Sequence, residues 1–148
     1  MVDLPTMETL ITLAANEVEK AAVRLGHMIR AGTDAEQKLT LLIQYREDYE
    51  SRFSASRAGG VSVQDYRNFQ LFMERLDEAI NEQERVVAQA KQDIDLARKA
   101  WQECERKRAS YDTLASREKL VRFRKELKRE QKETDEFANR KARLNKAR

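Results

Sequence analysis

Proline occurs once in the 148 residues, cysteine once, histidine once and glycine only four times. A rounded domain of this length reverses direction every few elements, and the scarcity of turn residues excludes that kind of architecture. A single cysteine, Cys104, excludes an internal disulfide framework and fits a reducing compartment. Apolar runs such as Leu41-Leu42-Ile43 are far too short to span a bilayer. Residues 1–10 also lack the basic region and continuous apolar stretch of a signal peptide. The expected location is therefore the cytoplasm.

What the chain does contain is charge, 37% of its residues, together with 41% hydrophobic residues. That apolar content is too high and too regularly placed for disorder. With an a position at Leu4, the a series of the first segment runs Leu4, Ile11, Val18, Leu25, Gly32, Leu39, Arg46 and Phe53. The d series runs Met7, Ala14, Ala21, Met28, Ala35, Leu42 and Tyr49. Thirteen of these fifteen positions are apolar, and a period of 3.5 residues held so long marks one seam of a supercoiled helix. Pro5 is tolerated in a first turn, where the N–H it lacks has no partner.

Around Arg30-Ala31-Gly32-Thr33-Asp34 the pattern is weakest, and Thr33 with Glu36 has the spacing of a capping box. A break there folds the chain into a compact three-helix bundle. The heptad phase runs through without a step, however, which predicts one continuous helix. Ser54-Ala55-Ser56-Arg57-Ala58-Gly59-Gly60 supplies the small residues and glycines of a tight reversal, and Ser62 with Asp65 reads as the cap of a second helix.

The second segment places Tyr66, Met73, Ile80, Val87, Ile94, Trp101, Arg108 and Ala115 at a. Its d positions hold Phe69, Leu76, Gln83, Ala90, Ala97, Cys104, Tyr111 and Glu118. Thirteen of the sixteen are apolar. The fold predicted is all-α: two long helices in an antiparallel coiled-coil hairpin, forming a single elongated domain over 1–148. Helix one covers about 5–55, the turn about 56–62 and helix two about 63–142. Pairing across the turn brings together residues whose numbers sum to roughly 118–121, so helix one runs out near residue 115 of helix two. Beyond it the register changes: Glu118 occupies d, and apolar residues resume in a new phase at Leu120, Phe123, Leu127, Phe137 and Leu144. A helical overhang there reaches about 40 Å at 1.5 Å per residue.

Chemistry-bearing constellations are missing. His27 falls at a c position facing solvent, Cys104 lies in the seam, and no Cys/His cluster has metal-ligand spacing. Gly59-Gly60 lacks the Lys-Ser/Thr of a phosphate loop, and pairs such as Glu17/Glu19 and Asp93/Asp95 are ordinary charges of a solvated helix. A two-helix hairpin has no concave pocket in which to tune a pKa. No enzymatic activity, cofactor or metal is expected.

Two features exceed plain coiled-coil chemistry. Residues 1–115 carry 16 Lys and Arg against 20 Asp and Glu, whereas 116–148 carry 13 against 6. The basic end reads either as a solvated tail or as an electropositive plug for an acidic or polar cavity. Its residues Arg122, Arg124, Lys128, Arg129, Lys132 and Phe137 are candidate contacts, with Leu10, Leu13 and Glu17 of helix one beside its base. Nucleic acid fits less well, since Phe123 and Phe137 are too sparse for a stacking platform. The second feature is an apolar flank: g positions near the turn hold Lys38, Tyr45, Phe72, Ala79 and Val86, while the e flank of helix two is polar throughout. Wider core packing accounts for one or two such residues; aromatics on one flank only also suit a docking partner.

Several stretches carry a family likeness: Glu17-Val18-Glu19 with Ala21-Ala22, Leu42-x-x-Tyr45-x-x-x-Tyr49, Phe72-x-x-x-Leu76-x-x-Ala79, and Trp101. The last is Gln131-Lys132-x-x-Asp135-Glu136-Phe137-Ala138-x-Arg140. In this order and spacing the chain resembles the FliJ family of the bacterial flagellar type III export apparatus, nearly end to end. The resemblance implies a stalk that enters the central hole of the FliI-like export ATPase ring. It also implies contacts with the FlhA-like export gate and with export chaperones, and with the inner membrane at the flagellar base only peripherally, through the gate. The gate contact it implies maps to Leu42, Tyr45, Tyr49, Phe72, Leu76 and Ala79. The sequence departs from relatives at Lys38 and Gln83, and heptad logic places Leu42, Tyr49 and Leu76 on the seam. The competing function class is a generic coiled-coil adaptor or a basic nucleic-acid-binding protein.

Overall fold

In the computed structural model, which describes residues 3–147, two helices account for nearly all of the chain: α1, Leu4–Arg57, and α2, Val63–Lys146. They pack against each other as a helical hairpin. The backbone amide of Thr6 donates to the Asp3 carboxylate at 3.1 Å and that of Met7 to the Asp3 carbonyl at 3.0 Å, so Asp3 caps α1 one residue before the helix begins. Hydrogen bonds from Thr6 hold the Asp3 carboxyl below its ordinary pKa of 3.8. The folded-state value being the lower one, the cap is complete above 3.8 and is lost only as pH falls through the depressed folded-state value.

α1 does not break near Gly32. Instead of opening a capping box, the Thr33 hydroxyl donates back to the Ile29 carbonyl at 3.1 Å within the running helix. Gly32 is buried because α2 approaches closely: a Cβ at this position meets Ile94 Cδ1 at 2.9 Å. The compact three-helix alternative is therefore absent, because this glycine serves helix-to-helix contact and not chain reversal. Reversal occurs at residues 58–62. There the Gly59 and Gly60 amides donate to the Ser56 and Arg57 carbonyls at 3.1 and 3.2 Å, and Gly60 takes a φ of 88°. Ser62 then caps α2, its hydroxyl accepting from the Asp65 amide at 3.1 Å.

The heptad seam is the burial pattern. On α1 all fifteen a and d positions are buried or half-buried, and on α2 only Tyr66, in the first turn, is exposed. The four polar intruders are each satisfied, Glu118 by Arg122 at 3.5 Å along its own helix. Gln83 is 7% exposed and donates to the Ala35 carbonyl at 3.0 Å, a bond available at one axial offset of the helices. It favours register at the expense of apolar burial. Arg46 extends to Asp77 across the pair at 2.6 Å and to Glu50 at 3.4 Å. Arg108 is held by Glu105 at 2.7 Å and Asp112 at 3.4 Å along its own helix. Hydrogen bonds to Asp77 and Glu105 raise the pKa of Arg46 and Arg108 respectively, so both remain charged.

Contacts group the chain into two units. One is Glu19–Glu103, with its core at Ala35, Leu76, Ile80, Val87 and Ala97. The other joins the start of α1, through Val18, with α2 from Cys104 onward, and buries Ala14 and Ala115.

Gly26, unlike Gly32, has nothing within 4 Å of its missing Cβ. Replacing it with Ala removes the backbone-entropy cost of a mid-helix glycine without a clash, and is expected to stabilise the chain by roughly 0.5–1 kcal/mol. Thermal unfolding followed by circular dichroism measures this; a lower melting temperature contradicts an open site at Gly26.

Candidate functional site

Within the unit Glu19–Glu103, aromatic side chains collect next to the turn. Phe53 and Phe69 stack at 3.8 Å between centroids with planes 8° apart, and Tyr49 lies 5.6 Å from Phe69 and 4.4 Å from Phe72. Tyr45 meets Phe72 edge-on at 6.0 Å. Heptad position explains this ladder: Tyr49, Phe53 and Phe69 occupy the seam, while Tyr45 and Phe72 are g residues that close over its side. The six residues assigned to the gate contact are consequently unequal. Tyr45 is 54% exposed and Leu76 only 7%. Leu42, Tyr49, Phe72 and Ala79 are half-buried. A partner lying on this flank meets Tyr45 directly and Phe72 and Ala79 at their rims, with Val86, 43% exposed, extending the strip. Leu76 supports it from beneath. Lys38 is exposed at the same flank, and Gln83 is committed to the Ala35 carbonyl.

Farther along this unit lies a groove of about 470 Å³ lined by Ala21, Arg24, Met28, Asp93, Leu96, Ala97 and Ala100. The alanines of the seam leave it open. Sequence reasoning passed over it because alanine satisfies the apolar pattern without filling space, and the run of small residues was the available signal. No group of three or more His, Cys, Asp or Glu side chains is placed to hold a metal ion among the described residues. Nor is any helix among them long and apolar enough to cross a membrane.

The other unit contains the second candidate surface. Here Leu10 is half-buried and Leu13 is 55% exposed, while the Glu17 carboxylate faces Lys107 at 3.6 Å. α1 begins at Leu4, and the last covered position of α2 is Glu118, half-buried and 3.5 Å from Arg122. From Lys119 to Ala147 every residue is exposed, although the helix continues to Lys146. Helix two thus runs past its expected end near 142. Among the described residues of this stretch two cations form intrahelical ion pairs, Arg122 with Glu118 and Arg129 with Glu126. Arg124, Lys128 and Lys132 are exposed and make none of the ion pairs among the described residues. Phe137 is 69% exposed. The result is a single helix that presents cations and separated apolar side chains to solvent, with no protein layer over them.

Residues 4–147 match the model of the family described as "Flagellar FliJ protein". The chain belongs to the FliJ family. The flagellar FliJ protein of Salmonella typhi is 35% identical to it over 136 residues, which cover 92% of each chain. That of Escherichia coli K12 is 32% identical over 142 residues, 96% of this chain and 97% of the relative. The match includes both the aromatic flank and the uncovered end of α2, so each is part of a FliJ-family chain and neither is an appendage to it.

Proposed function

We propose that this FliJ-family protein, a component of the flagellar export apparatus, acts without catalysis as a stalk for the export ATPase. The uncovered end of α2 enters the central hole of the ATPase ring, and the flank of Tyr45, Phe72 and Ala79 docks on the export gate. Export chaperones are further partners of the same cytoplasmic protein, whose association with the inner membrane is peripheral and runs through the gate. The observation that carries this reading is the run of exposed helical residues from Lys119 onward. A rod that must face several identical subunits inside a ring has to be slim and free of a partner helix of its own. A net positive charge favours entry into an acidic or polar hole and raises the rate of encounter. Leu13, beside the base of that rod in sequence register and exposed, is a supporting contact.

The test is the ATPase rate of the cognate ring subunit with and without this protein, measured across a salt series. Stimulation is expected at low salt and falls as salt rises, because exposed charges are screened over about 8 Å at physiological ionic strength. No stimulation at any salt concentration overturns the stalk reading and favours a generic coiled-coil adaptor.

A further inference from the structure

The uncovered end of α2 has a pattern of its own. Leu120, Phe123, Leu127, Phe137 and Leu144 are 49%, 61%, 49%, 69% and 70% exposed, far more than a helix face ordinarily leaves to water. They fall on one new heptad seam, with Leu120, Leu127, Thr134 and Lys141 at a and Phe123, Glu130, Phe137 and Leu144 at d. A sustained a/d seam on a helix without a partner is half of a coiled coil.

Its sequence states which other half fits. In a parallel, in-register pair Glu130 meets Glu130 and Lys141 meets Lys141 at the seam, placing like charges at the centre of the contact. Turning one helix around removes both conflicts. Antiparallel layers join a to d, and the alignment that brings Leu120 onto Leu144 also brings Leu127 onto Phe137, Thr134 onto Glu130 and Lys141 onto Phe123. All five large apolar residues then have a partner, and Lys141 lies where its stem and ammonium cover an aromatic ring. Along the g flank, Glu126 faces Arg140 twice, once on each side of the two-fold axis. One contact opposes the arrangement, Glu133 facing its own copy at the axis. Such a match between the two halves of one segment is what an isologous interface requires.

We propose that the uncovered end of α2 pairs antiparallel with the same segment of a second copy of this chain. The pairing does not depend on the ring reading. Both uses need the same segment, and a ring needs it free of a partner helix, so a paired end is unavailable to a ring and must separate first. The two uses also respond oppositely to salt. Each copy brings a strongly basic segment, 13 Lys and Arg against 6 Asp and Glu over 116–148. Pairing therefore works against long-range repulsion and tightens as salt rises, whereas entry into an acidic hole weakens.

Sedimentation equilibrium on the full chain, kept reduced, tests this. A monomer–dimer equilibrium that tightens with salt is expected, with Leu127→Glu/Phe137→Glu monomeric throughout the same range. Glu126→Arg or Arg140→Glu alone weakens association about tenfold, as two exposed pairs turn from attraction to repulsion, and the two together restore it. Glu133→Gln strengthens association. Direction is read by oxidation in a Cys104→Ser background: Gln131→Cys, which meets its own copy beside the axis, gives covalent dimers, and Leu120→Cys does not. A chain monomeric into the millimolar range at high salt overturns the proposal. So does a dimer that survives Leu127→Glu/Phe137→Glu, or oxidation that captures Leu120→Cys and spares Gln131→Cys. ATPase stimulation by the full chain is read separately, so failure of the stalk reading leaves these outcomes unchanged.

Discussion

A chain ended after Lys119 is expected to lose stimulation of the export ATPase completely while keeping the hairpin. The cut removes a stretch in which every described residue is exposed, so almost no packed surface goes with it. Half-buried Glu118 loses its pairing with Arg122, whose side chain is half exposed, a cost of order ~1 kcal/mol. The last layers of the covered seam, including buried Ala115, remain. Helical circular dichroism per residue and the melting temperature should therefore stay near those of the full chain. What disappears is the stretch of helix, Leu120 to Lys146, that no second helix covers among the described residues. Gate binding, proposed for the flank in the other unit, is expected to persist. Full stimulation by the shortened chain removes the basis for the stalk and leaves the basic end as a solubilising tail or a nucleic-acid arm.

The flank gives the second large effect, and here the structure separates two residues that the sequence treats as equals. Tyr45→Ala is expected to weaken gate binding by about 2 kcal/mol, near thirtyfold, if Tyr45 is an aromatic hot spot of that interface. Its side chain is more than half exposed, and its recorded aromatic contact is edge-on to Phe72. The cost to stability should thus be small, of order 0.5 kcal/mol or less. Phe72→Ala removes contacts with both Tyr45 and Tyr49 from a half-buried ring, so it is expected to lower stability as well, by roughly 1–3 kcal/mol. Titration of the cognate gate domain with each variant, alongside thermal unfolding, distinguishes the two. Unchanged affinity for Tyr45→Ala, or unfolding of that variant below the parent's transition, shows that the flank is core edge and not a docking surface.

The features behind these two effects are divided unevenly between sequence and structure. The 3.5-residue period by itself determined two long helices and their buried faces, because apolar spacing along one helix is a local property of the chain. It also located the reversal through Gly59-Gly60 and Ser62, and the point where α1 runs out, since equal rise per residue on both arms makes pairing a matter of counting. Exposure of the end of α2 followed from that counting. The period could not say which partner each polar seam residue takes. Arg46 reaches Asp77, and Gln83 reaches the Ala35 carbonyl, through the axial offset and rotation of one helix against the other, which no single-helix pattern contains. Tyr45 and Leu76 carry equal weight as family-like motif residues, yet one is largely exposed and the other buried. That difference comes from how closely the helices approach, which is set by the volumes filling the seam on both sides. Gly32 shows the same limit from the other direction: its sequence context suits a break, and only the nearness of Ile94 reveals that the missing side chain makes room for the second helix.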